Sequence, residues 1–146
     1  MKIILDTSVL ISIFATKNKS FAKDILKLAF TKQIHLAVCS EIFEEFRNIA
    51  TNDEVKYLRG WQTSKVAKFI PWYTYNAIFF ELENIEVNSD LRDPEDIVFL
   101  RLALMSKAEY LVSLDKDLLV IKNIQDTKSV SPEEFIQKHN SVSKDD

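Results

Sequence analysis

Five acids stand where a chain of this pattern can do chemistry. Asp6 directly follows the apolar run Ile3-Ile4-Leu5, Glu45 lies just beyond the run His35 to Cys39, Asp93 and Asp96 open a helix-like stretch, and Asp115 follows Tyr110 to Ser113. Ligands of open parallel sheets bind at the carboxyl ends of the strands, and these acids gather at those ends. Carboxylates that converge on one crevice repel each other, and their ionised forms are disfavoured unless a cation is present. Oxygen-only donors, with a single cysteine and no plausible histidine pair, suit Mg²⁺ or Mn²⁺ better than Zn²⁺. The chemistry that needs such a site is phosphodiester hydrolysis, in which the cation activates water and offsets charge on the leaving oxygen. Each acid also has an ordinary explanation: an Asp after a strand forms turns or caps, Asp93 and Asp96 fit a capping box, and a lone helical Glu45 is a solvated charge. Spacing alone leaves both readings open.

The elements that position these acids are legible from apolar spacing. Ile3 to Leu5 and Tyr110 to Ser113 are short apolar runs of the kind covered on both faces in a parallel sheet, with His35 to Cys39 a second strand between them. Phe21, Ile25, Leu28 and Ala29 recur at helical spacing over about 20 to 32. Ser40 is the expected N-cap of a helix whose stripe is Ile42, Phe43, Phe46 and Ile49. Between 51 and 89 helices are expected, one of them starting after Asn52 and ending near Gly60, with Pro71 interrupting the pattern. Asp93-Pro94 predicts a helix from there to about Lys107, and Lys128 to Val130 a further strand. Ser131-Pro132-Glu133-Glu134 predicts a capping box and a last helix to about His139, followed by a polar tail over 140–146. Strands alternating with helices predict a three-layer α/β/α sandwich with a mostly parallel central sheet, as one domain over 1–139.

Composition narrows the function classes. The net charge of −3 argues against a protein held on nucleic acid by a broadly basic surface. One glycine in 146 residues excludes the glycine-rich phosphate loops. One cysteine excludes an internal disulfide, a Cys-rich zinc site and a C-x-x-C redox pair, and fits a reducing compartment; Cys39 itself reads as a buried strand residue. Asp6 breaks the first apolar run too early for a signal-peptide core, and no stretch of about 18 apolar residues follows, so a soluble cytoplasmic protein is expected. His35 and His139 are far apart in sequence and neither is assigned to catalysis.

Four motifs in order resemble those of PIN-domain nucleases: Leu5-Asp6-Thr7-Ser8-Val9-Leu10-Ile11, Ser40 to Arg47 with its acid at Glu45, Arg92 to Leu100, and Tyr110 to Leu119. The resemblance covers residues 1 to about 139 and is nearest to the toxin components of prokaryotic toxin-antitoxin pairs, broadly VapC-like. It implies a Mg²⁺- or Mn²⁺-dependent endoribonuclease inhibited by a cognate antitoxin. Carried over position by position, Asp6, Glu45, Asp96 and Asp115 match the family's acidic quartet, Asp93 is an additional acid, and Thr7 and Ser8 match polar positions beside the first acid. Ser113 is a further hydroxyl expected to support them. Two positions depart from the pattern: Ser8 stands where many relatives have Asn, and Leu114 where glycine or a less bulky residue is common. The rivals are a non-catalytic PIN-like scaffold, and a haloacid dehalogenase-type phosphohydrolase, which needs an Asp where Ser8 stands. A receiver domain lacks its acidic pair after the first strand.

Two charge features and one aromatic cluster remain. Residues 17–32 hold five lysines against Asp24, a net of +4, and Lys19, Lys23 and Lys27 are candidate contacts to RNA phosphates, beside the simpler reading of a solvated helix face. Residues 81–96 hold seven acids and one Arg, a net of −6 that repels RNA unless part of it surrounds a metal. Seven aromatics fall within 61–80, which is core packing or a surface for a homodimer or the antitoxin.

Overall fold

The computed structural model describes residues 1–52, 61–83, 94–121 and 123–144. β1 (Lys2–Leu5) leads into α1 (Thr7–Ala15) and α2 (Phe21–Phe30), then β2 (His35–Val38), α3 (Ser40–Ala50), α4 (Thr63–Asn76) and β3 (Ile78–Phe79). After these come α5 (Pro94–Ser106), β4 (Tyr110–Val112), α6 (Lys116–Val120), the hairpin of β5 (Asn123–Ile124) and β6 (Thr127–Val130), and α7 (Pro132–Lys144). The strands form one sheet in the order β3-β2-β1-β4-β6-β5, parallel throughout except for β5. Ile3 pairs with Leu36 on one side and Tyr110 on the other, and Leu5 with Val112.

This order has a direct consequence for the site. From β1 the chain winds outward through β2 to β3, then returns past β1 to β4, so the direction of winding reverses between β1 and β4. Right-handed crossovers place the helices of the outward and return paths on opposite faces, giving the expected three layers. Consistent with this, α5 packs on β1 and β2, whereas α1 packs on α2, α3 and α4. A crevice opens at such a reversal, beyond the carboxyl ends of the two strands.

The core explains why α1 and α3 hold still. Ile3, Ile4 and Leu5 are fully buried, as a strand covered on both faces requires. Phe14 of α1 meets Phe69 at 5.0 Å and Phe46 and Trp61 at 6.1 Å, and Phe46 meets Phe69 edge-on at 5.8 Å. Buried aromatics carry the largest burial energies of any side chains, about 3–5 kcal/mol each on truncation to alanine. The rotation of α3 about its axis is therefore set by Phe46, and the adjacent Glu45 is turned with it.

Several local expectations are corrected. Two short strands, β3 and β5, join the four expected ones. The N-cap of α3 is Cys39, whose carbonyl accepts from Phe43 N–H at 3.0 Å, and Ser40 is the first helical residue. The helix α4 passes through Pro71 without ending, and α7 continues to Lys144, into the stretch expected to be tail. The expected helix from Asn52 to Gly60 lies outside the described residues. The Ser131 box does form: Glu134 N–H donates to Ser131 Oγ at 3.2 Å and Ser131 N–H to Glu134 Oε1 at 3.4 Å. With so little glycine, Lys32, Lys107 and Gln125 take the left-handed backbone conformation. Lys32 sits where a Schellman motif closes α2, with Lys32 N–H on Ala29 O and Gln33 N–H on Leu28 O.

The aromatic segment divides. Trp61, Phe69 and Tyr73 are buried in the core, Trp72 packs between Phe30 and Phe69, and Tyr75 and Phe79 are exposed. No helix among the described residues is long and apolar enough to cross a membrane.

Candidate active site

Asp6 continues β1 by donating its N–H to Val112 O at 2.9 Å, which fixes it at the switch between β1 and β4. Its carbonyl accepts from Val9 and Leu10, so its backbone begins α1, yet its side chain makes no cap. The carboxylate takes hydroxyl donors instead. Oδ2 accepts from Ser113 Oγ at 2.6 Å and from Ser8 Oγ at 2.9 Å, while Asp6 is only 7% exposed. Capping, the ordinary explanation for an Asp after a strand, is therefore excluded for this one. Oδ1 takes no hydrogen bond from a described residue.

The hydroxyls extend the arrangement to two more acids. Thr7, the first residue of α1, donates Oγ1 to Glu45 Oε2 at 3.2 Å, bringing α3 to the side of Asp6. Ser113 is fully buried at the end of β4, and its Oγ accepts Asp115 N–H at 2.9 Å while donating to Asp6. Ser8 Oγ likewise accepts Leu114 N–H at 3.3 Å. Ser8 thus does the polar work at its position, and the side chain of Leu114 is 49% exposed. Asp115 follows the ordinary explanation: its Oδ1 accepts Asp117 N–H at 2.9 Å and caps α6.

Asp96 is buried in the first turn of α5. A helix returning from β3 to β4 begins at the carboxyl end of the sheet, so topology carries Asp96 to the same end as Asp6. Asp93 lies outside the described residues. Sequence reasoning named Thr7, Ser8 and Ser113 as supports, but spacing held no signal for which acid each would hold.

Lys23 and Lys27 lie on α2, with Lys19 in the loop before it. Lys23 Nζ donates to Thr16 O at 2.6 Å, at the far end of α1 from Asp6. Elsewhere, burial pushes the Cys39 thiol up to about 12, and burial also raises the Tyr73 hydroxyl. Neither is a nucleophile in this state.

The fit of a cation can be judged from the donors. Among the described residues no three Asp, Glu, His or Cys side chains stand together as a group able to hold a metal. The acids are interleaved with hydroxyls and do not close into a cage. Mg²⁺ takes one or two carboxylates and keeps several waters, and Oδ1 of Asp6, which no described residue engages, suits that role. The residues present fit such a cation.

Fold and site together define an α/β/α protein with a hydroxyl-held carboxylate at a topological switch point and a second acid, Glu45, beside it. Residues 2–117 match the PIN domain model, and the chain belongs to the PIN domain family. Among solved structures its fold is similar to that of VapBC2 from Rickettsia felis bound to a DNA fragment from their promoter, at a TM-score of 0.55 and 14% identity over 88% of this chain and 98% of that one. No curated protein matches the chain.

Proposed function

We propose that this chain is a metal-dependent endoribonuclease and the toxin of a toxin-antitoxin pair, held inactive by a cognate antitoxin in the cytoplasm. The observation that carries the reading is the Asp6 carboxylate, which caps no backbone N–H of the helix it begins and is held by two hydroxyls at the switch point. Family membership supports a nuclease, and the neighbouring fold, solved as VapBC2 with promoter DNA, supports an antitoxin partner.

In this reading Asp6, with Asp96, Asp115 and Asp93, holds Mg²⁺ or Mn²⁺. The bound cation supplies charge that lowers the pKa of an attacking water and offsets the leaving oxygen. Ser8 and Ser113 fix the Asp6 carboxylate so that Oδ1 faces the ligand. Glu45, aimed by Thr7, orients the water and accepts its proton as it attacks the phosphorus. Asp96 and Asp115 complete the catalytic acids. Incubating a mixed RNA pool with the protein and Mg²⁺, Mn²⁺ or EDTA tests this. Cleavage with either ion and none in EDTA is expected; no cleavage with either ion overturns it.

A second reading, a non-catalytic PIN-like binding module, is favoured by one observation: the Asp115 side chain is already engaged as a helix cap. Binding of a partner by a protein that cuts no RNA would support it.

A further inference from the structure

We propose that Lys17, Lys19, Lys23, Lys27, Lys65 and Lys68, with Phe21 among them, form a track for the backbone of single-stranded RNA at the end of α1 opposite Asp6. The substrate class rests on the ribonuclease reading.

One carbonyl assembles the patch. Thr16 O, at the C-terminal end of α1, accepts from Lys23 Nζ and from Gln62 Nε2, and Gln62 N–H also bonds Phe14 O at 3.0 Å. The first turns of α2 and α4 are therefore both tied to the C-terminal end of α1. Lys65 is exposed in the first turn of α4, with Lys68 exposed on the next, and Lys27 is exposed one turn after Lys23. Lys17 and Lys19 are exposed in the loop that reaches α2. Lys23 lies below its ordinary value of 10.5 through partial desolvation and the nearby charges of Lys65 and Lys27, as expected where cations crowd.

Among the described residues nothing neutralises the patch. None of these lysines forms an ion pair with a described residue. Asp24 is the one acid between residues 7 and 40, and α4 contains none. Like charges one turn apart destabilise a helix, so a purely solvated face would be better served by mixed signs. A chain of net charge −3 has acids to place there and does not. A polyanion relieves the repulsion.

Phe21 decides which polyanion. It is 43% exposed at the first position of α2, between Lys19 and Lys23. Lysines that follow a backbone, interleaved with an exposed ring on which a base stacks, are the pattern of single-strand binding. An acidic protein segment has no comparable use for the ring. The nine residues of α1 separate the patch from Asp6 by about 13 Å, or about four stacked nucleotides.

The test measures fluorescence anisotropy of a labelled 20-nucleotide mixed-sequence RNA in EDTA, from 50 to 200 mM salt. The variant Lys19→Gln/Lys27→Gln/Lys65→Gln leaves Lys23 and its bond to Thr16 intact, and Lys107→Gln/Lys128→Gln/Lys138→Gln is the control of equal charge. Each phosphate contact contributes about 0.7 to the slope of log affinity against log salt, so three lost contacts reduce it by about 2. Over this fourfold range the first variant should lose affinity about 20-fold less steeply than the parent, whereas the control should follow the parent. Phe21→Ala should weaken binding at least about fivefold. A slope unchanged in the first variant, no RNA binding by the parent, or a requirement for these lysines with polyglutamate but not with RNA overturns the proposal. RNA cleavage with an unchanged slope removes the patch and leaves the nuclease reading standing. The expected slope change without cleavage does the reverse.

Discussion

Ser113→Ala removes the hydroxyl that connects two acids, and its cost can be worked from the geometry. Oγ is fully buried, donates to a carboxylate at 2.6 Å and accepts Asp115 N–H at 2.9 Å. A hydrogen bond to a charged group contributes about 1.5–3 kcal/mol and a neutral one about 0.5–1.5 kcal/mol. Ser8 continues to bond Oδ2, so the expected loss lies near the lower half of the sum, about 2–3 kcal/mol. For a chain of this size that lowers Tm by about 5–10 °C. Ser8→Ala should cost less, about 1.5–2 kcal/mol, because it loses its bond to the carboxylate but the Leu114 N–H it abandons lies in an exposed turn that water can reach. The two substitutions share one acceptor oxygen, so the double variant should depart from additivity. Urea unfolding of the parent, both single variants and the double variant measures all three quantities. A loss below about 0.5 kcal/mol for Ser113→Ala, or strict additivity, would refute the shared-oxygen arrangement.

Three further outcomes follow from the same structure. Thr7→Val should lower kcat through loss of the bond that aims Glu45, Thr7→Ser should restore it, and Glu45→Gln should cost about 10²–10⁴ in kcat; equal activity of Thr7→Val and parent on RNA removes Thr7 as a positioning residue. Cys39 keeps its proton to about pH 12 when folded but loses it near 9.0 when unfolded, so this thiol's contribution to stability is present below pH 9 and is lost by about 1.4 kcal/mol per unit from pH 9 to 12. Cys39→Ala should flatten that part of the curve, and the native thiol should resist alkylation at pH 8. Lys32→Gly should stabilise the protein by about 0.5–1 kcal/mol in urea, since glycine adopts the left-handed conformation without strain but is freer when unfolded; destabilisation would contradict the strain.

The legible parts of the fold were those whose burial is written into consecutive residues. Ile3 to Leu5 and Tyr110 to Val112 are apolar on both faces because helices cover both, and their adjacency in the sheet makes the switch point. β3 and β5 were not legible, since strands of two residues carry no period and exist through pairing with β2 and β6. α1 was not distinct, because TSVLISIFA is apolar nearly all round and offers no stripe. Pro71 suggested an interruption that α4 does not have, since Val66, Phe69 and Tyr73 bury its face on both sides of the proline. In the site, the acid types and strand ends were readable, whereas the roles were not. Asp6 and Asp115 look alike in sequence, each following a strand, yet one is held by two hydroxyls and the other caps a helix. The difference lies in Ser113, whose buried hydroxyl takes Asp6 as acceptor and Asp115 N–H as donor.

In the proposed function the Asp6 carboxylate serves a bound cation and not the fold. Asp6→Asn tests it most directly. The amide oxygen can accept from Ser8 and Ser113 as Oδ2 does, leaving the NH₂ where Oδ1 now accepts nothing from a described residue. RNA cleavage with Mg²⁺ or Mn²⁺ and thermal unfolding in EDTA are measured on parent and variant. Loss of cleavage to the metal-free level is expected, with metal-free stability lower than the parent's by no more than about 2–3 kcal/mol, the difference between two charged and two neutral hydrogen bonds. Retained cleavage, or marked destabilisation without metal, would contradict it.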